Sequence, residues 1–266
     1  MMQESLLRGN PHDDSASQRF GRRSDAFSIH TSRHVLVFTE EVTVLPLSVA
    51  AGLRAQFDAD GFVFPLRVLA AGEVARYRDA AEQRLGGAST THRLHLETEW
   101  GRELASHPAI VDAVEELADG PVRIWGTLVL RKEPRSDAYV SWHQDSAYRT
   151  IAADDLFSAW IALTDSRATN GCMRAIPGSH RLRLPHVNAV DGENLLSHGQ
   201  RVVGDVESAR AVDLVLRAGE MSLHHIDVVH GSAPNRSNTP RLGFVVRYVR
   251  AGFAWDEWPL IDPRKT

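Results

Sequence analysis

The 266-residue sequence predicts an α+β fold, with several helices first and then many short strands that close into a sandwich or jelly roll. Three features carry that expectation. Apolar residues recur at helical spacing before Pro121, alternation in the β manner sets in after it, and segments dense in Asn, Ser, Thr, Gly and Pro separate the later runs.

Residues 1–30 are rich in Ser, Asp, Arg, Asn and Gly with few aromatics, so they bury too little surface to offset the entropy of ordering and are expected to form a mobile tail. Residues 31–266 contain no long linker and no internal repeat, and read as a single domain. Residues 48–57 read as a short helix. A second follows Gly72, where Val74, Tyr77, Ala81 and Leu85 share a face and Gly86-Gly87 is the stop. A third covers 109–118, with Ile110, Val111, Val114 and Leu117 on one side and Gly120-Pro121 at its end. Strands are expected over 122–132, 157–163, 173–176, 211–216, 219–224 and 241–249.

The charge balance is 30 Lys+Arg against 34 Asp+Glu, a net −4 with no basic stripe, so nucleic acid is not an expected partner. One thiol, Cys172, cannot form an internal disulfide, and no Cys-x-x-Cys pair exists to hold zinc; Cys172 reads as a small packing residue. The first residues lack an apolar stretch, and no apolar run approaches the ~20 residues that span a bilayer. These signals predict a cytoplasmic protein.

The segment VSWHQDSAY, residues 140–148, carries the chemistry. On an extended backbone residues two apart point the same way, so His143 and Asp145 would present an imidazole and a carboxylate to one point while Gln144 faces away. A third ligand is available 87 residues later in His230, expected at the end of a β-run. Two His and one carboxylate on one face of an octahedral ion leave three positions open, which suits non-haem Fe(II) and oxygen activation, with zinc as the alternative metal. Arg241, eleven residues past His230, can pair bidentately with a carboxylate entering beside the metal.

Together with FDADGFVFP (57–65), WHQD (142–145), SAWIALTDSRATNGCMRAIPGSH (158–180) and HGSAPNRSNTPR (230–241), these residues resemble the iron(II)/2-oxoglutarate dioxygenases, and within them the phytanoyl-CoA dioxygenase family. The likeness covers roughly residues 55–248. It implies a double-stranded β-helix of jelly-roll or cupin type with N-terminal helices packed on one sheet, and Fe(II), 2-oxoglutarate and O2 as cofactors. It also implies that His143, Asp145 and His230 are the iron ligands and that Arg241 clamps the distal carboxylate of 2-oxoglutarate. Trp160, Ser232 and Lys132 fall where the family keeps an aromatic, a hydroxyl and a lysine near the cosubstrate. Tyr148 and Arg149, just past the metal clip, are candidates to meet the substrate.

The implied activity is hydroxylation of an unactivated C–H of a small molecule, giving succinate and CO2. Related halogenases have Ala or Gly where this chain has Asp145, so halogenation is not expected. ENLLSHGQ (193–200), MSLHH (221–225), PNRS (234–237) and RYV (247–249) are similar to the branch containing aminoalkylphosphonate hydroxylases and oxygenases of specialised metabolism, although SAYRT (146–150) departs from the phosphonate enzymes. Desaturation, cyclisation or epimerisation with the same cofactors, a non-oxidative cupin-like isomerase, and a non-catalytic jelly-roll binding module are the alternatives.

Other polar residues read as structural. Adjacent strand residues face opposite sides, so at most one of His224 and His225 can look toward the metal, and both are expected to be ordinary hydrogen-bonded residues. His180 is expected to stabilise a turn. Arg247 shares a face with Arg241, but six residues at about 3.3 Å separate them by roughly 20 Å, so it reads as structural. Asp112, Glu115, Glu116 and Asp119 read as a solvated helix face, and loops around 186–200 are expected to close the pocket.

Overall fold

The computed structural model describes residues 36–37, 47–148 and 156–265; the expected tail over 1–30 lies outside the described residues. Strand β1 (Leu36–Val37) and helix α1 (Leu47–Asp60) precede β2 (Phe62–Arg67). Helix α1 thus runs past the expected end at residue 57. Helix α2 (Ala71–Leu85) buries Val74, Tyr77, Ala81 and Leu85, as the periodicity requires. At its start the Glu73 carboxylate accepts the Ala70 N–H at 2.8 Å, and Gly86 ends it in the left-handed region at φ 54°. Next come β3 (Thr90–His92), α3 (Leu94–Glu97), α4 (Glu99–Ala105) and α5 (Pro108–Ala118). Helices α3 and α4 were not expected: at 4 and 7 residues neither completes enough turns for an apolar stripe to repeat.

The remaining strands are β4 (Val122–Lys132), β5 (Val140–His143), β6 (Leu156–Ala162), β7 (Met173–Ala175), β8 (His186–Asn188), β9 (Gln200–Val202), β10 (Val212–Leu214), β11 (Glu220–His225), β12 (His230–Ser232) and β13 (Arg241–Arg250). They form a seven-stranded sheet in the order β1-β2-β11-β6-β13-β4-β3, a four-stranded sheet in the order β10-β7-β12-β5, and a β8-β9 pair. Only β1 and β2 pair in parallel among the described strands.

Strand parity divides the large sheet into a packing face and a working face. Phe157, Ala159 and Ile161 of β6 and Leu242, Phe244, Val246 and Tyr248 of β13 are buried against the helix layer with Leu53, Tyr77, Leu104 and Val114. Each large apolar side chain buried there contributes roughly 1.5–3 kcal/mol, so the stability resides on this face. On the opposite face Leu128, Trp160 and Val245 pack with Met173, Ala175 and Leu214 of the small sheet, joining the two sheets beside a cavity. After β13 the chain returns across Trp125, Leu156 and Ile226 with Phe253, Trp255, Trp258 and Leu260. Arg264 then pairs with Asp112 and, at 2.6 Å, with Glu115. That corrects the reading of this acidic run as merely solvated: two of its carboxylates anchor the C-terminal segment to α5.

Candidate metal centre

A cavity of about 510 Å³ runs between the sheets, and His143, Asp145 and His230 line it together. The antiparallel register of β12 and β5 sets His230 opposite His143, so their rings share one side with centroids 4.2 Å apart. His230 opens β12 rather than ending a β-run as expected. His143 Nδ1 lies 2.9 Å from the Ser141 carbonyl oxygen and 3.1 Å from that of His230, and His230 Nδ1 lies 3.0 Å from the Val228 carbonyl. A carbonyl only accepts, so each Nδ1 carries the proton and each Nε2 keeps its lone pair for a metal.

Asp145 reaches the same point by a different route from the one expected. Strand β5 ends at His143, and Asp145 opens a 3-10 turn over Asp145–Tyr148, so a turn and not strand alternation sets Asp145 Oδ1 3.7 Å from His143 Nε2. One donor atom from each of His143, Asp145 and His230 lies within 4.8 Å of the others. Gln144 does face away: its amide donates to the Leu182 carbonyl at 2.7 Å and to the Asp227 carbonyl, and its Oε1 accepts the Leu184 N–H at 2.8 Å.

Register also builds the grip on Asp145. Across β13, β6 and β11 the residues Arg247, Ser158 and His224 are lateral neighbours. All three approach the carboxylate: Arg247 Nη2 at 2.8 Å from Oδ1 and Nε at 3.3 Å from Oδ2, Ser158 Oγ donating to Oδ2 at 2.8 Å, and His224 Nε2 at 3.6 Å from Oδ2. Burial pushes the Asp145 carboxyl up, but the Arg247 charge, with the adjacent His143 and His224 imidazoles, outweighs it and holds the group well below the usual carboxylate range. Burial, reinforced by the neighbouring His143 and His224, keeps His230 far below the ordinary imidazole value. Two imidazoles whose Nδ1 atoms are turned to backbone carbonyls and an ionised carboxylate on one side of a cavity fit a 2-His-1-carboxylate metal site.

This corrects the reading of Arg247, which is a carboxylate partner in the candidate metal site. The strand distance from Arg241 rules out a shared dicarboxylate, yet the cavity runs along β13 and both arginines line it. Parity was legible in the sequence; the turn that brings Asp145 under Arg247 was not. Parity allowed one of His224 and His225 to face the metal, and it is His224, which lines the cavity beside Asp145 and corrects its reading as an ordinary hydrogen-bonded residue; Ser158 carried no signal, because only register sets it beside Arg247.

Arg241 is 2% exposed; its Nη1 donates to the Gly171 carbonyl, its guanidinium carbon lies 5.1 Å from the Trp160 ring centroid, and its Nε is buried without a partner among the described residues. Gly243 makes that stacking possible, since a Cβ there would fall 2.1 Å from Trp160 Cζ2. Behind the wall, Lys132 Nζ donates to Ser232 Oγ at 2.6 Å, to the Ser232 carbonyl at 3.2 Å and to the Ala233 carbonyl at 2.6 Å. Burial, with the Arg241 charge, draws the Lys132 ammonium down to about 6, and burial draws Arg241 down to about 10. Asp145 is the one carboxylate among the described residues that line the cavity, and Arg247 and Ser158 hold it, so the buried Arg241 guanidinium lacks a counter-ion there. That is the chemistry of a carboxylate-binding site, and it fits 2-oxoglutarate.

Trp160, Ser232 and Arg241 therefore line the cavity with the three candidate ligands, whereas Lys132 lies behind Ser232. Tyr148 ends the turn after Asp145, but its side chain and Arg149 lie outside the described residues. Leu195, Leu196, Ser197 and His198 line the cavity from the loop before β9, where closure was expected. His180 sits in a single 3-10 turn, Ser179–Arg181, and Cys172 is buried with its thiol pushed up to about 11 by that burial.

A family profile described as phytanoyl-CoA dioxygenase (PhyH) matches residues 57–243. A probable alpha-ketoglutarate-dependent hypophosphite dioxygenase from Stutzerimonas stutzeri is 30% identical over 154 residues, 57% of this chain and 52% of that protein. The chain spans about half the length of the curated relatives it matches. Among solved structures, apo ThoJ, a non-heme monooxygenase, is 30% identical with a TM-score of 0.68 over 79% of this chain and 83% of its own. The epimerase SnoN from nogalamycin biosynthesis, in complex with Fe3+, alpha ketoglutarate and nogalamycin RO, is 26% identical with a TM-score of 0.64 over 81% and 95%.

Proposed function

The chain belongs to the phytanoyl-CoA dioxygenase family, with iron and 2-oxoglutarate as its cofactors, and from that premise we propose that it hydroxylates an unactivated C–H bond of a small molecule. One observation carries the reading. Two imidazole Nε2 atoms with free lone pairs and an ionised carboxylate converge in a cavity that also holds a buried arginine lacking a counter-ion. We assign His143, Asp145 and His230 as iron ligands, Arg241 as the clamp on the cosubstrate carboxylate, Trp160 and Ser232 as its flanks, and Tyr148 and Arg149 to the substrate side. Residues 31–266 are proposed to act as one double-stranded β-helix domain, an architecture with which two sheets bordering a shared cavity are consistent.

When bound, iron with 2-oxoglutarate and O2 supplies the oxidant, with succinate and CO2 as coproducts. The residues supply position. Backbone carbonyls fix both imidazole planes, Arg247 and Ser158 hold the Asp145 carboxylate, and the Trp160 indole fixes the plane of the Arg241 fork. Leu128, Met173 and Val245 give the cavity apolar walls that exclude water.

The likeness to an epimerase supports a second reading, in which the same site inverts a stereocentre. A coupled succinate assay over small acids, amino acids, phosphonates and acyl conjugates, with mass spectrometry, separates the outcomes. Hydroxylation adds one oxygen, desaturation or ring closure removes two hydrogens, and epimerisation leaves the mass unchanged. Anaerobic Fe(II) titration should give a charge-transfer absorption on adding 2-oxoglutarate, weakened in Arg241→Ala. If wild-type protein gives none, the oxygenase reading fails.

A further inference from the structure

The outer end of the cavity differs chemically from the metal end. Trp125, Leu156, Leu196, Ile226 and Trp258 line it with apolar surface. Trp258 is locked in place: its Nε1 donates to the Trp125 carbonyl at 2.6 Å, and Trp255 meets it edge-on with centroids 4.8 Å apart. A rigid indole wall of this kind favours a ring-bearing ligand, because flat apolar groups gain both area and aromatic contact there.

Arg93 lies over part of that wall, its guanidinium carbon 5.1 Å from the Trp258 ring centroid, a cation-π contact that leaves its N–H groups free to meet an anion. The other two arginines that line the cavity have polar partners, Arg241 the Gly171 carbonyl and Arg247 the Asp145 carboxylate. Arg93 makes no side-chain hydrogen bond or ion pair among the described residues. Its backbone is unusual as well. Between β3 and α3 it adopts φ 58° and ψ 26°, a left-handed conformation that Gly or Asn would enter at less cost. The backbone is tied there by its N–H to the Thr127 carbonyl at 2.9 Å and by its own carbonyl, which accepts from Leu96 at 2.9 Å and Glu97 at 3.1 Å. None of those bonds uses the guanidinium. An arginine held in a conformation that does not require it, at the edge of a cavity, is explained by what its side chain meets.

On the reading that the cavity holds iron and 2-oxoglutarate, we propose that the substrate is a carboxylate with an apolar ring-bearing body, its carboxylate paired with Arg93 and its ring against Trp258. A guanidinium matches a carboxylate bidentately, and Arg93 is the one permanent cation lining the cavity without a hydrogen-bond or ion-pair partner among the described residues, which favours a single negative charge over a phosphate dianion.

The test uses anaerobic protein loaded with Fe(II) and saturating 2-oxoglutarate, so that Arg241 is occupied. Isothermal titration compares 2-naphthylacetate, its neutral amide 2-naphthylacetamide, and 2-naphthyl phosphate on wild type and Arg93→Gln. Wild type should bind the acid about tenfold or more tighter than the amide and no weaker than the phosphate. In Arg93→Gln the acid should lose about tenfold in affinity while the amide stays within about twofold. Equal binding of acid and amide, a preference that survives in Arg93→Gln, tighter binding of the phosphate, or no binding of any probe overturns the proposal. The charge-transfer absorption of the same samples separates the two levels. Its absence from both proteins sinks the oxygenase reading, whereas its presence without an acid preference sinks only the assignment of Arg93.

Discussion

The metal end and the outer end of this cavity are built by different means. At the metal end nearly every side chain comes from a strand whose register with its neighbours is fixed: His143 opposite His230 on one sheet, and Arg247, Ser158 and His224 in a lateral row on the other. At the outer end the strand residues Trp125 and Leu156 form only part of the wall, and the rest comes from the turn at Arg93, the loop through Leu195–His198 and the C-terminal segment with Trp258. Sheet register fixes donor atoms to fractions of an ångström, as a metal requires; loops and tails vary without disturbing it. The reacting centre therefore sits on paired strands, and substrate selection on the segments between them.

Substitutions at the two ends should separate accordingly. The largest effect is expected for Asp145→Ala, which removes a donor and leaves Arg247 without its carboxylate: charge-transfer absorption and succinate formation should both fall to background. Full retention of either would show that the site lies elsewhere. Gly243→Ala drives a methyl into the Trp160 ring and should cost up to about 3 kcal/mol in urea unfolding together with 2-oxoglutarate affinity. Gly126→Ala on the neighbouring strand, with nothing within 4 Å, is the control. Arg247→Gln should weaken Fe(II) binding roughly 10–100-fold in chelator competition while the fold persists, since it removes the partner that orients a ligand. An unchanged affinity would reduce Arg247 to packing.

A pH experiment probes the boundary between the two ends. His95 is fully buried against Thr127 Oγ1 at 3.0 Å, and burial, with the nearby Arg102 and Arg93 charges, lowers it to about 4. Unfolded chain takes up this proton near pH 6.5 and folded chain only near 4, so stability is lost as pH falls between those values. Between pH 6.5 and 4.5 the loss from this group should be roughly 2 kcal/mol, and His95→Gln should unfold with a correspondingly flatter pH dependence. Parallel slopes for the two proteins would assign the acid sensitivity elsewhere. The smallest effect is expected at the outer end, where Leu196→Ala should change stability and iron affinity by less than about 0.5 kcal/mol while altering the KM of the substrate. A loss of iron binding in that variant would break the division between the two ends.

Much of this was legible along the chain. Strand β4 has the bounds its alternation predicts, and α2 buries the four residues its periodicity selects. His143, Asp145, His230 and Arg241 were named from spacing and from neighbouring motifs, and all four line one cavity. Local pattern suffices for such features because one segment supplies each of them: an apolar stripe repeats within a helix, and a ligand declares itself by residue type. It fails where two distant segments must meet. Nothing near Ser158 or His224 announces Asp145, and the 3-10 turn that carries Asp145 under Arg247 interrupts the strand alternation that a His-x-Asp clip assumes. The sequence alone determined which groups are available and on which strand faces they lie. Tertiary structure decided which of them touch, because hydrogen-bond register between strands far apart in the chain, and not spacing along it, sets which side chains stand side by side.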